Sequence, residues 1–337
     1  MKAWRVAQGA VLLVGVGMVA ALLLAPPLGL TLVWNILIPV APALLVFAPG
    51  IWRNICPLGT TGLLARHSGH SARVKLTPEM QGRFAFGGLV LLLLIVPLRH
   101  VTLNTNGPAT AVALIASAVA AVWLGTRYEW KSGWCAGLCP VHPVERFYGI
   151  RPAISVVNAH CDACQRCTAV CSDSARGTHP LRAPATPLHR WSGTLLTGGF
   201  AGYVWGWFQV GDGAGLGDAF MVPLVGMLVT LTVFVGVQAM LPVPRHELLV
   251  RIFAFAAVAT YYWYRLPMLF GFGEHPGDGV LVDLTANLPV WAPVAGRVAT
   301  TALFGWWLVL RTPSHKRAWS IRPPYASGIG AEPEVAG

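Results

Sequence analysis

The sequence predicts an all-α integral membrane protein of about eight transmembrane helices, with a cysteine-rich cytoplasmic segment between the fourth and the fifth. Three observations carry this. Of 337 residues, 55% are hydrophobic and only 11% charged, about half the charged fraction of a soluble domain. Apolar runs close to the ~20 residues that cross a bilayer recur along the chain. Basic residues collect in alternate loops, the asymmetry that orients membrane proteins. The net charge of +11 therefore follows topology. No interleaved stripe of basic and aromatic residues of the kind used on nucleic acid occurs.

The first span covers residues 6–25, preceded by Lys2 and Arg5. It reads as a retained helix rather than a signal peptide, because LAPPLGL lacks a small-x-small cleavage site. Pro26 and Pro27 break it, and a second span, 31–49, runs into Trp52-Arg53-Asn54-Ile55-Cys56-Pro57. The loop to residue 83 carries Arg53, Arg66, Arg73, Lys75 and Arg83 against Glu79, which places it in the cytoplasm. The third span, 84–98, leads through an almost uncharged outer turn, His100 to Pro108, to a fourth at 109–125. Segment 126–190 holds Arg127, Lys131, Arg146, Arg151, Arg166, Arg176, Arg182 and Arg190 against Glu129, Glu145, Asp162 and Asp173, so it returns to the cytoplasm.

Four more spans lie near 192–210, 219–240, 248–270 and 288–310. The turns GDGAGLGD and 271–287 contain acids and no bases and fit the outer face. Arg245 and the tail bases Arg311, Lys316, Arg317 and Arg322 fit the inner face. Eight spans with both termini in the cytoplasm satisfy the charge rule at every loop. The organisation is then two helical hairpins (1–130), a cytoplasmic segment (131–190), a four-helix region (191–312) and a cytoplasmic tail (313–337), loose beyond Pro324.

Six of the seven cysteines fall within residues 131–171. Cys161, Cys164, Cys167 and Cys171 have the spacing C-x2-C-x2-C-x3-C, that of a bacterial ferredoxin [4Fe–4S] run. Zinc would favour two separated C-x2-C pairs or added histidines, and a disulfide framework is at odds with a reducing cytoplasm. Ser172 stands where that run usually has proline.

The two hairpins repeat one another. Each ends in a Cys-Pro, at Cys56-Pro57 and Cys139-Pro140, and the alignment sets Trp52 opposite Cys135. Cys135 and Cys139 form a C-x3-C pair whose sulfurs share one helix face, one turn apart, within reach of one cluster or metal. The proline then ends each helix. The plainer alternative is ordinary buried thiols near helix ends.

C-x3-C-P at helix ends of a multi-span chain, followed by the ferredoxin run, resembles the polyferredoxin-like membrane iron–sulfur proteins. That group includes the quinol-dehydrogenase subunit of periplasmic nitrate reduction, the nitrous-oxide reductase accessory protein and the cbb3 oxidase assembly iron–sulfur protein. The resemblance covers roughly residues 30–175 and rests on Cys56-Pro57, Cys135, Cys139-Pro140 and the four cysteines from Cys161. It implies electron transfer through [4Fe–4S] centres on the cytoplasmic side of a bacterial inner membrane. This chain departs from the group in having one ferredoxin run rather than two, and Trp52 where a cysteine would complete the first C-x3-C-P. The last four spans lie outside the resemblance.

In two-cluster ferredoxins the fourth cysteine of a run serves the other cluster. Cys161, Cys164 and Cys167 would then hold one cluster, and Cys171 would join Cys135, Cys139 and Cys56 on a second. Seven thiolates are one short of eight, so either one of two clusters takes a non-cysteine ligand or only one cluster exists. His160, Asp162 and His142 are the candidates for the last position, against the plainer reading of solvated loop side chains.

The spans contain no facing histidines for haem, and no phosphate-cradling, G-x-S-x-G or H-E-x-x-H motif occurs. Arg265 and Arg297 fall inside the seventh and eighth spans, near Glu274, Asp283 and the run Tyr261–Tyr264. A quinone head group is one candidate occupant there; snorkelling, or pairing with the outer acids, is the simpler account. The expected function is an electron-transfer subunit between a quinone pool or cytoplasmic donor and a respiratory partner. An assembly factor that reduces or delivers a metal is the alternative, and a transporter with a redox sensor the third reading.

Overall fold

A computed structural model describes residues 2–129, 131–161, 173–182, 186–312 and 316–322. Eight long helices dominate it: α1 (Lys2–Leu24), α2 (Pro26–Phe47), α3 (Pro78–Leu103), α4 (Gly107–Arg127), α5 (Pro187–Trp207), α6 (Leu216–Met240), α7 (His246–Leu269) and α8 (Ala292–Leu310). Each expected span coincides with one of them. The third is longer than expected, because helix continues from Pro78, ahead of the leucine run, through Leu103. Six of the eight, all but α5 and α7, are long and apolar enough to cross a membrane.

The starts are written locally. Thr77, Asn106 and Thr186 each precede a helix and accept from a backbone N–H three residues on (Met80, Ala109 and His189). Proline in the first turn follows each, where its missing N–H costs nothing.

The two helices outside the six owe their polarity to their position. α5 buries Leu196, Phe200, Tyr203 and Trp207 and packs on α3, α6 and α7. Its glycines let α6 approach: a Cβ on Gly202 would collide with the carbonyl of Gly226, so no side chain fits there. α6 instead exposes Met221, Leu228, Val229 and Val233, the apolar outer surface expected beside lipid.

Prolines inside these helices orphan carbonyls four residues back, and at three of them a side chain takes up the carbonyl. Pro97 frees Leu93, whose oxygen accepts from Tyr203 Oη at 2.8 Å. Pro42 frees Ile38, which accepts from Tyr261 Oη at 3.4 Å. Pro267 frees Trp263, which accepts from Arg297 Nε at 3.1 Å. The Tyr262 hydroxyl is inserted into the α2 ladder, accepting from the Ala43 amide and donating to the Pro39 carbonyl. In an apolar surround each such group needs a partner. Two of the tyrosines weighed as neighbours of a quinone head group thus mend the backbone of α2.

Between α2 and α3 the chain is not an open loop: short helices Pro49–Ile55, Pro57–Gly62 and Leu64–His67 fill it. The expected tail also folds back in part. Ser320–Ile321 (β2) pairs in parallel with Val156–Val157 (β1), and Trp319 is 1% exposed. The tail beyond Pro324 lies outside the described residues.

Candidate iron–sulfur site

The two Cys-Pro ends meet. Cys56 closes the helix Pro49–Ile55 with an extended backbone (φ −54°, ψ 122°), the conformation proline imposes on the residue before it. Cys135 and Cys139 lie on and just after the helix Lys131–Leu138. That helix is not α, as the C-x3-C reading assumed, but π: the Cys139 amide donates to the Trp134 carbonyl, five residues back, at 3.0 Å. The wider turn brings residues four apart nearer to eclipse, and π turns recur at functional sites. Cys139 is buried, Cys56 and Cys135 partly so, and none of the three is in a disulfide. Cys139 and Cys135 share one packed apolar cluster with Leu58, two residues beyond Cys56.

Burial pushes all three thiols up, Cys139 to about 12. Such thiols stay protonated until a positive centre offsets the lost hydration of the thiolate. The protein supplies one, Arg53, whose charge opposes the rise at Cys135. Its Nη1 donates to the Cys135 carbonyl (2.8 Å) and to Glu145 Oε2 (2.7 Å), its Nη2 pairs with Asp173 Oδ1 (2.8 Å), and it lies 5.9 Å over the Trp319 ring.

Burial would by itself raise Glu145 and lower Arg53. The carboxylates and the guanidinium reverse both effects, holding Glu145 below and Arg53 above their ordinary ranges. His142 Nδ1 lies 3.0 Å from Glu145 Oε2, and burial holds this imidazole below its ordinary range. The neutral tautomer that satisfies Glu145 carries the proton on Nδ1.

The segment leading to the ferredoxin run is tied to the first Cys-Pro end. Asn54 Nδ2 donates to the Val157 carbonyl at 2.8 Å and its Oδ1 accepts from the Ala159 amide at 3.1 Å. The His160 ring is within 2.9 Å of the Arg53 carbonyl, which commits its Nε2 to donating. Cys161 follows directly. Cys164, Cys167, Cys171 and Asp162 lie outside the described residues.

Among the described residues, no group of three His, Cys, Asp or Glu forms a single-ion site. A cubane is larger than an ion and is gripped at its corners, so its ligands lie farther apart than those of a single ion. Sequence reasoning missed the hub that joins the two Cys-Pro ends. The charge pattern places Arg53, Glu145 and Asp173 in cytoplasmic loops, yet all three are buried. It also missed Arg99, which follows the leucine-rich run of α3.

Arg297 follows the simpler account: it pairs with the half-exposed Glu274 at 3.7 Å and stacks on Trp263. Arg265 does not: it is buried, and among the described residues it forms no ion pair with the acids of the outer loops.

No protein-family model, curated protein or solved structure matches this chain.

Proposed function

We propose that this chain is a membrane-bound iron–sulfur electron-transfer protein, passing single electrons between a quinone pool or a cytoplasmic donor and a partner respiratory enzyme. The observation that carries the reading is the convergence of Cys56, Cys135 and Cys139, from two repeated Cys-Pro helix ends, beside the buried Arg53. Bound [4Fe–4S] centres would supply one-electron chemistry at potentials set by ligation, nearby charge and burial.

The chain's own part is threefold. It brings cysteines from separate helix ends together, dries their surroundings, and sets a fixed positive charge beside them. Cys56, Cys135, Cys139 and Cys171 would serve one cluster and Cys161, Cys164 and Cys167 the other. His142 is one candidate for the eighth position, since an imidazole fixed through Nδ1–H keeps a lone pair on Nε2.

We place all eight long helices across a bacterial inner membrane, with both termini and the cysteines in the cytoplasm. The two helices least apolar in sequence, α5 and α7, are covered by their neighbours, and the loops alternate in charge. The burial of Cys139 weighs against the assembly-factor reading, which needs thiols that a partner can reach.

The test is electron paramagnetic resonance on anaerobically purified protein reduced by dithionite or quinol. Cys164→Ser should abolish or alter one iron–sulfur signal and Cys135→Ser another. A full wild-type signal in both variants would overturn the assignment, and copper at Cys135 and Cys139 without sulfide would favour metal delivery.

A further inference from the structure

The second concentration of buried charge lies at the other end of the helices. α4 starts beside it and ends near Cys135, and 21 residues at 1.5 Å each separate the two by about 30 Å. There α2, α3, α5, α7 and the loop Gly277–Val280 enclose a cavity of about 270 Å³.

Arg99 and Arg265 both line it, and they are only 7% and 2% exposed. The Arg99 guanidinium is sandwiched between Trp34 and Trp207, 4.3 and 4.5 Å from the ring centres, and its Nε donates to Asn104 Oδ1 at 3.1 Å. Arg265 Nη2 donates to the Trp34 carbonyl (2.6 Å) and Asn35 Oδ1 (2.8 Å). Its Nη1 reaches the Met268 sulfur at 3.0 Å, a weak acceptor, and the guanidinium also lies against the Tyr261 hydroxyl. Its Nε is buried without a partner.

Among the described residues no carboxylate forms an ion pair with either arginine. The two acids of the cavity wall are engaged elsewhere. Asp212 Oδ1 meets His100 Nδ1 (2.8 Å) and Asn104 Nδ2 (2.6 Å), and Asp278 Oδ2 accepts from the Asp212 amide at 2.8 Å.

A guanidinium cannot shed its proton, so its burial is costly, and here both arginines share one nearby opposite charge, Asp212, which makes a direct ion pair with neither. Two of them, on different helices, with donors left over and a cavity between, make a built oxyanion site. A tetrahedral phosphate suits it better than a carboxylate, because its oxygens do not share one plane and can meet two forks arriving from different helices. We propose that this cavity binds a phosphate group, held by Arg99 and Arg265. It is borne either by a free small anion or by the headgroup of an anionic lipid reaching the helix ends.

The test uses the full-length protein and does not depend on iron. Thermal unfolding is followed in a neutral detergent while sodium phosphate replaces sodium chloride at constant ionic strength. The wild type should show a saturable rise in Tm with phosphate and none with acetate, and Arg99→Gln and Arg265→Gln should each weaken the apparent affinity at least about tenfold, the loss of one charge-assisted contact. Arg245→Gln, which removes an exposed charge, should leave it unchanged.

Nanodiscs separate the two sources. If phosphatidylglycerol raises Tm over phosphatidylcholine and cancels the phosphate response, the headgroup is the occupant; an equal response in both lipids identifies the free anion. No phosphate-specific shift in detergent or in either lipid would overturn the proposal. So would an equal shift with acetate, or a response undiminished in both variants that retain a cooperative transition.

Discussion

The two ends of this helical bundle bury arginines in opposite ways. At the cysteine end Arg53 faces Glu145 and Asp173, and Arg66 faces Glu129 at 2.5 Å. At the far end Arg99 and Arg265 are as deeply buried, but they rest on indole rings, amides and a thioether. The first arrangement is closed: each charge has its counter-charge within the chain, and the guanidinium is left to act on the thiols beside it. The second leaves donors unspent around a cavity. Buried positive charge thus serves as a structural fastener at one end and as an opening for a ligand at the other.

The difference can be broken by substitution. Arg53→Leu strands two buried carboxylates and should cost about 3–5 kcal/mol, the range for an uncompensated buried charge. Denaturation in detergent would read it, and a loss under about 1 kcal/mol would show that the hub does not bind this end together.

Next in size is an acid effect at the cysteine end. Burial pushes His179 down to about 4, so the folded state favours the neutral imidazole. Its contribution is complete above the unfolded value near 6.5 and is lost as pH falls from there through about 4. Lowering the pH from 7 to 4 should therefore cost about 2–3 kcal/mol through this group, and His179→Gln should flatten the profile by that amount.

Between the ends, Tyr203→Phe removes the donor to the Leu93 carbonyl that Pro97 orphans. It should cost about 1–2 kcal/mol, more than the loss of a solvated hydroxyl, because the carbonyl is left in a dry bundle. The smallest effect is expected at the far end. Arg99→Gln strands no acid and relieves a buried charge, so stability should change by about 1 kcal/mol or less. If it instead matched Arg53→Leu, the two ends would not differ as described.

Much of this was legible in the sequence, for definite reasons. The spans are written in long apolar runs, but Thr77 and Thr186 cap helices ahead of those runs, so the starts expected at 84 and 192 fall short of the observed Pro78 and Pro187. The pairing of the two Cys-Pro ends could be read as a repeat. What could not be read depended on contacts between distant segments. Arg53 and Arg99 look alike along the chain, each a base at the end of an apolar stretch. Only packing decides that one meets Glu145 and Asp173 while the other meets Trp34 and Trp207. The π turn before Cys139 has no local signature, and C-x3-C reads equally well as α. The tyrosines of α7 suggested a ligand site because the orphaned carbonyls they satisfy belong to α2, more than two hundred residues earlier.

The central claim is that the thiols of the cysteine end hold inorganic clusters. Iron and acid-labile sulfide counted per chain, on protein purified without oxygen, test it most directly. The account predicts a brown protein with about eight of each, two [4Fe–4S] centres. About four of each would leave a single cluster and contradict the two-centre assignment, and a colourless protein without sulfide would contradict the claim altogether.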